Sequence, residues 1–242
     1  MSNVSLKWLG GAGFIIKSGE LVIGIDLYLS NACMDKNGAF KRLSPPVVRP
    51  GDLNMDYLIA SHEHGDHLDS GSICDFISKD NKTRLICPAV TKRDAISFGV
   101  DRERIIELNR GESLDFDGFS IRAVPSDHGD LSPDAIGVFI SIGGKTVYFI
   151  GDSCFRTDFP DYIGWKAEID VLLVPINGKY GNPDARDAAY LVQMLNPKLT
   201  IPCHFWLFAE HGGNPGEFIE CCERIAPDSE IKLLCIGEEI EL

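Results

Sequence analysis

The chain opens on three short apolar runs, Val4–Leu9, Phe14–Lys17 and Leu21–Ile25, parted by Gly10-Gly11-Ala12-Gly13 and by Ser18-Gly19-Glu20. Alternation broken at glycine-rich turns predicts paired strands, with Asp26 ending the third. A loop rich in proline and polar residues follows from roughly 30 to 55, and connections of that length are usually functional or mobile. Tyr57-Leu58-Ile59-Ala60 then predicts a buried strand that runs straight into a histidine segment. Residues 69 to 79 predict a helix with Ile73, Phe76 and Ile77 on one face. Arg84–Cys87 predicts a strand, and the stretch after Pro88, near 89 to 98, a helix. Residues 104 to 150 return to hairpin-like strands, turning at Gly118 and at Gly143-Gly144. Beyond them the pattern predicts a strand over Asp170–Pro175, an amphipathic helix over Asp184–Leu195, a strand over Leu199–Cys203 and a helix over Pro215–Ile225. A last strand pair is expected over 231 to 241. Two halves emerge, each a run of strands followed by strand–helix units, an order that layers helices on sheets. No linker divides them, so residues 1–242 are expected to form a single α/β domain.

Composition narrows the class. Hydrophobic residues make up 44% of the 242 and charged ones 24%, which excludes a disordered chain. No apolar run reaches the roughly 20 residues of a membrane helix. The start, Met1-Ser2-Asn3-Val4-Ser5-Leu6-Lys7, lacks the basic and apolar parts of a signal peptide, so a cytoplasmic protein is expected. Eight cysteines are scattered without a Cys-x-x-Cys pair and are expected to be reduced and mostly packed as small apolar residues, Cys154 and Cys203 included. A net charge of −13 with no cluster of lysine and arginine argues against nucleic acid and anionic membranes as partners. Part of that acidity suits bound divalent cations, and a homo-oligomer stays open.

The chemistry gathers in Ser61-His62-Glu63-His64-Gly65-Asp66-His67-Leu68-Asp69, between a predicted strand and a predicted helix. Imidazoles suit borderline divalent metals, and a carboxylate adds charge. His62 and His64, two apart on an extended segment, can point the same way; Asp66 and His67, on the turn beyond, can face a second cation. His128 follows the apolar run Ile121–Pro125, and His204 follows Leu199–Cys203. Asp152, at the end of Val147-Tyr148-Phe149-Ile150-Gly151, supplies the carboxylate needed between two cations. The donor set suits zinc, manganese or iron alike. Two cations sharing a water lower its pKa from about 15.7 toward 7, giving a bridging hydroxide as nucleophile, while one of them polarises the oxygen under attack. Asp66 would orient that hydroxide and take its proton. No Gly-x-Ser-x-Gly elbow is present. The loop Asn177–Asn182 follows a strand and is expected to line the cleft, with Lys179 a candidate for an anionic group of the substrate. The aromatic run Phe205–Phe208 suits a pocket wall and a core equally, and His211 is assigned a substrate contact or proton donation.

Taken in order, Asp26, the His-x-His-x-Asp-His loop, His128, Asp152 and His204 resemble the metallo-β-lactamase superfamily over nearly the whole chain. The resemblance implies a four-layer αββα sandwich with metals at one edge of two facing sheets. It also implies His62, His64 and His128 on one metal, Asp66, His67 and His204 on the other, Asp152 between them, and Asp26 orienting a ligand histidine. Leu6–Gly13, Ile23–Asp26 and Ile201–Trp206 are most similar to the L-ascorbate-6-phosphate lactonase family, which implies manganese-dependent opening of a lactone on a phosphorylated sugar acid. The expected function is therefore a metal-dependent hydrolase acting on a small ester, lactone or phosphorylated sugar acid, an anionic molecule. A phosphodiesterase or nuclease of the same superfamily is the alternative, but it calls for a basic groove or an RNA-binding arm, which the charge of −13 opposes. A third class is a non-hydrolytic metal or di-iron redox protein. That role would put a carboxylate where His64 stands and add a flavin domain, while Glu63 faces the wrong way on an extended loop.

Overall fold

A computed structural model describes residues 3–78 and 82–242 of the chain. The first sheet holds β1 (Val4–Gly10), β2 (Gly13–Ser18), β3 (Leu21–Ile25), β4 (Tyr57–Ile59), β5 (Arg84–Cys87) and β6 (Ile105–Glu107) in chain order. The second holds β7 (Ser113–Phe116), β8 (Phe119–Pro125), β9 (Ile136–Ile142), β10 (Lys145–Phe149), β11 (Val171–Pro175), β12 (Leu199–Cys203) and β13 (Glu230–Ile231), again in order. The final strand, β14 (Glu239–Glu241), returns to the first sheet beside β1. The α-helices are α1 (Ile73–Phe76), α2 (Ala89–Ser97), α3 (Phe159–Ile163), α4 (Ala185–Leu195) and α5 (Pro215–Ile225).

Alternate residues of a strand face opposite ways, and the two faces of the first sheet are both apolar. Ile25, Ile59 and Ile86 share one core with Ile121, Ile140, Val147 and Phe149 of the second sheet. The intervening Leu58, Leu85 and Cys87 pack outward with Ile73, Phe76 and Ala95 of α1 and α2. On the far side α4 and α5 lie against each other and bury Ala188, Leu191, Val192 and Phe218 into the large core. The layers are helix, sheet, sheet, helix, as the resemblance implied.

Two differences from the sequence expectation have physical reasons. Residues 231–241 do not pair with one another, because β13 joins β12 and β14 joins β1 in separate sheets. The helix expected over 69–79 is confined to α1, and position 79 lies outside the described residues. Asp69 holds the preceding turn, where its carboxylate accepts from the N–H of Leu29 (2.8 Å), Ser30 (2.9 Å) and Gly71 (3.0 Å). The short α3 had no signal of its own in the pattern. By contrast, α4 and α5 begin where side-chain caps place them, at Asp184 and Asn214. Among the described residues no helix is long and apolar enough to cross a membrane.

The pairing pattern sets up the site. β3 to β6 run parallel, and so do β10 to β13, with β8 aligned to β10 through two antiparallel steps. The chain therefore leaves β3, β4, β8, β10 and β12 through their C-terminal ends, where loops of open α/β sheets commonly bind ligands.

Candidate metal centre

Each candidate residue sits just past one of those strand ends: Asp26 after β3, the histidine segment after β4, His128 after β8, Asp152 after β10 and His204 after β12. Two of these corners are strained, since Asp26 (φ 43°) and His204 (φ 58°) occupy the left-handed region without being glycine. Such positions cost about 1–3 kcal/mol and persist where the surroundings over-determine them. Gly151, the residue before Asp152, is required for another reason. Its φ is 73°, and a Cβ there would lie 2.9 Å from the Ile136 carbonyl oxygen.

The site is two nitrogen groups with a carboxylate between. In the first, His62 Nε2 and His128 Nε2 lie 3.0 and 3.2 Å from His64 Nδ1, and His128 Nε2 is 3.7 Å from Asp152 Oδ2. In the second, His67 Nε2 and His204 Nε2 are 3.0 Å apart, and they stand 3.4 and 3.3 Å from Asp152 Oδ1. Asp66 Oδ2 joins that group at 3.3 Å from His204 and 3.7 Å from His67. His211 flanks it, with Nε2 3.8 Å from Asp66 Oδ2 and its ring stacked on His204 at 4.7 Å.

These donors fit divalent cations. Ligand atoms about 2.0–2.2 Å from a tetrahedral metal are about 3.3 Å from one another, the spacing seen in both groups. Asp152 Oδ1 is buried with no hydrogen-bond partner, which a carboxylate tolerates poorly unless a cation answers it. The sets His62–His64–His128–Asp152, His67–Asp152–His204 and Asp66–His204–His211 can each converge on one point.

Asp26 also lies close enough to His62 and His67 to share an ion, but its oxygens are already used. Oδ1 accepts from the Ser61 N–H (2.7 Å), while Oδ2 accepts from the Ser61 hydroxyl (2.5 Å) and from His67 Nδ1–H (2.6 Å). The Ser61 hydroxyl oxygen, 3.0 Å from His62 Nδ1, accepts a hydrogen bond from that ring's Nδ1–H in turn. One buried carboxylate thus turns the Nε2 lone pairs of both His67 and His62 toward the centre. Asp152 is placed by a similar web: the Ser126 hydroxyl donates to its carbonyl (2.7 Å), and the Ser153 N–H donates to Asn182 Oδ1 (3.0 Å). Ser126 carries no motif, and the singled-out segments that contain Ser61 and Asn182 give neither residue a role of its own. Only the pairing of strands from different parts of the chain reveals them.

Charge follows geometry. Burial pushes the pKa of His62 well below that of a free imidazole, and it lowers His128 and His211 to about 4. Burial acts the same way on His67 and His204, but Asp152 and Asp66 outweigh it and hold both rings up. Against the penalty of burial, His67 and His204 keep Asp66 and Asp152 ionised. Without cations, a proton between the facing Nε2 atoms of His67 and His204 answers part of the charge of Asp66 and Asp152.

A cavity of about 400 Å³ opens onto His64, Asp66, Asp152, His204 and His211, with Cys33, Phe40, Leu131, Tyr180 and Phe208 among its walls. Burial and the nearby Asp66 push the Cys33 thiol up to about 11, so it stays protonated at neutral pH. Lys179 is exposed and does not line the cavity; its neighbour Tyr180 does. Of the aromatic run, Phe208 is wall, while Phe205 packs on Trp8 and joins the large core. Glu63 accepts from the Ser132 hydroxyl (2.7 Å) and is absent from the lining.

Known proteins place the chain. It is 27% identical over 238 residues to a metal-dependent hydrolase of Caldivirga maquilingensis, covering 98% of this chain and 97% of that one. Its fold is similar to that of a metallo hydrolase from Ignicoccus hospitalis, with TM-score 0.78 at 23% identity over 100% of this chain and 99% of the other. A possible metal-dependent hydrolase from Veillonella parvula superposes with TM-score 0.80 at 18% identity, covering 100% of both chains. The family model described as the beta-lactamase superfamily domain matches residues 27–205, from the residue after Asp26 to the residue after His204, and the chain belongs to that superfamily.

Proposed function

We propose that the chain is a hydrolase that works with two divalent cations, manganese or zinc (or iron), on a small carboxyl ester or lactone. His62, His64 and His128 would hold one cation and Asp66, His67 and His204 the second, with Asp152 between them. The observation that carries this reading is the pair of Asp152 oxygens, one turned to each nitrogen group, with Oδ1 otherwise unpaired. Cations held there would activate a water near neutral pH and polarise the carbonyl oxygen.

The chain's own groups do the rest. Asp26 and Ser61 hold the Nδ1–H of His67 and His62, so Nε2 of each ring faces the centre without rearranging. Asp66, ionised and at the cavity floor, accepts a hydrogen bond from the attacking water and aims it. His211 is neutral at pH 7, since burial lowers it to about 4, so it contributes an N–H dipole to the oxygen that gains charge. It is a substrate contact in this reading rather than a store of protons.

Phosphorylated sugar acids fit less well than uncharged esters or lactones, because no lysine or arginine lines the cavity among the described residues. A net charge of −13 likewise disfavours phosphodiester chains. The site draws on loops of both sheets, which supports residues 1–242 as one domain. Eight unpaired cysteines support a reducing compartment, the cytoplasm. The test is a screen of manganese- and zinc-loaded protein against lactones, carboxyl esters and phosphodiesters. Turnover of esters or lactones that is lost in His62→Ala and Asp152→Ala is expected; equal metal binding by wild type and both variants would overturn the assignment.

A further inference from the structure

Two loops far apart in sequence bring aromatic rings together at the cavity mouth. Phe40 comes from the long loop after β3 and Tyr180 from the loop after β11; their ring centroids are 6.3 Å apart. Phe40 packs edge-on against Phe208 at 5.7 Å, Phe208 meets His211 at 4.7 Å, and Tyr180 meets His211 at 6.2 Å. A continuous aromatic wall therefore runs from the nitrogen groups to solvent. Leu131, three residues past His128, adds an exposed apolar side chain to the same cavity.

The backbone shows that these rings are not casual. Phe40 (φ 56°) and Tyr180 (φ 54°) both sit in the left-handed region, which a bulky side chain disfavours. In the segment Asn177-Gly178-Lys179-Tyr180-Gly181-Asn182, glycine occupies positions 178 and 181, where φ is also positive. At position 180 the chain keeps a tyrosine that is 47% exposed. An exposed aromatic face in a strained turn beside a reactive centre gains a purpose when a flat apolar group lies against it.

We infer that Phe40 and Tyr180 are specificity-determining residues that receive an aromatic or bulky apolar acyl group of an uncharged ester. This rests on the hydrolase reading and names its substrate class. With the acyl group against the two rings, the carbonyl lies over the nitrogen groups and within reach of His211. The lack of lysine and arginine in the lining among the described residues fits an uncharged body.

The experiment compares methyl 2-naphthylacetate with methyl acetate, which share a leaving group and differ only in the acyl part, using the metal-loaded protein. Wild type is expected to prefer the naphthyl ester in kcat/KM. Phe40→Ala and Tyr180→Ala should each cut that preference about tenfold, mainly through KM, while Tyr180→Phe should keep it. Leu43→Ala, an exposed apolar position outside this cavity, serves as the unaffected control. Tyr180 is surface-exposed, so its variant carries the test if Phe40→Ala folds poorly. A second arm titrates 2-naphthol into the same proteins and reads binding by fluorescence, independent of turnover. If wild type cleaves neither ester the carboxyl-ester part of the proposed function falls, and loss of naphthol affinity in the variants still supports the aromatic wall. An unchanged preference and unchanged naphthol affinity in both alanine variants would overturn it.

Discussion

Asp26 shows how much one side chain decides at the scale of a residue. Its two oxygens accept three hydrogen bonds, and two histidines take their orientation from it. Asp26→Asn preserves shape, and asparagine tolerates the left-handed backbone found there (φ 43°), so the strand end should not move. The substitution offers a single acceptor oxygen, and its amide would face either Ser61 or His67 donor to donor. Metal affinity is expected to fall about 10–100-fold, read by competition with a chromophoric chelator. The same cluster gives a signed pH effect. His67 and His204 hold a proton between their facing Nε2 atoms in the metal-free site because Asp152 and Asp66 outweigh burial, and coordination needs both lone pairs free. Metal uptake should therefore release protons at pH 7, and apparent affinity should rise with pH. Calorimetry in two buffers of different ionisation heat measures that release; proton uptake would contradict it. The seven candidate donors were legible because each follows an apolar strand in a short motif. Ser126 and Phe40 were not, since their meaning lies in partners 26 and 140 positions away, Asp152 and Tyr180. Tyr180 lines the cavity as expected of its loop, but the individual contacts of Ser61 and Asn182 had no signal in their segments.

Elements whose signal is local were readable along the chain, and those set by distant pairing were not. β5, β12 and α5 fall on the expected residues, being bounded by proline, glycine or a capping asparagine. β13 and β14 were misread as partners because two short strands give no clue to which sheet accepts them. α1 is cut short by contacts of Asp69 with residues 29, 30 and 71, a tertiary tie that overrides helix periodicity. At this scale the sharpest prediction concerns the turn between β10 and Asp152. Gly151→Ala places a Cβ 2.9 Å from the Ile136 carbonyl oxygen and must hold φ near 73°. The variant should lose about 2–3 kcal/mol of stability, seen as an earlier urea midpoint with an unchanged slope. Asp152 would shift with the turn, so metal binding should weaken in parallel with stability.

The two sheets meet through a greasy interface, but at one edge they meet through charge. His62, His64, Asp66 and His67 come from the loop after β4 in the first sheet, whereas His128, Asp152 and His204 come from strand ends of the second. Every proposed cation would therefore be held by both sheets at once, and metal binding would tie the halves of the molecule together. A ligand that binds only the folded chain stabilises it by mass action, about 2.7 kcal/mol at a free concentration a hundredfold above Kd. For a chain of 242 residues this should raise the melting temperature by about 5–10 °C. Chelation should reverse the shift, and the apo protein should retain the fold because the large apolar core contains none of the seven proposed donors. His62→Ala and His204→Ala, taken from opposite sheets, should each reduce the metal-induced shift. A pair of cations held by one sheet alone would make only one of these variants insensitive to metal. Equal loss from both sides is the signature of a centre built across the sandwich, and differential scanning calorimetry with and without manganese reads it directly.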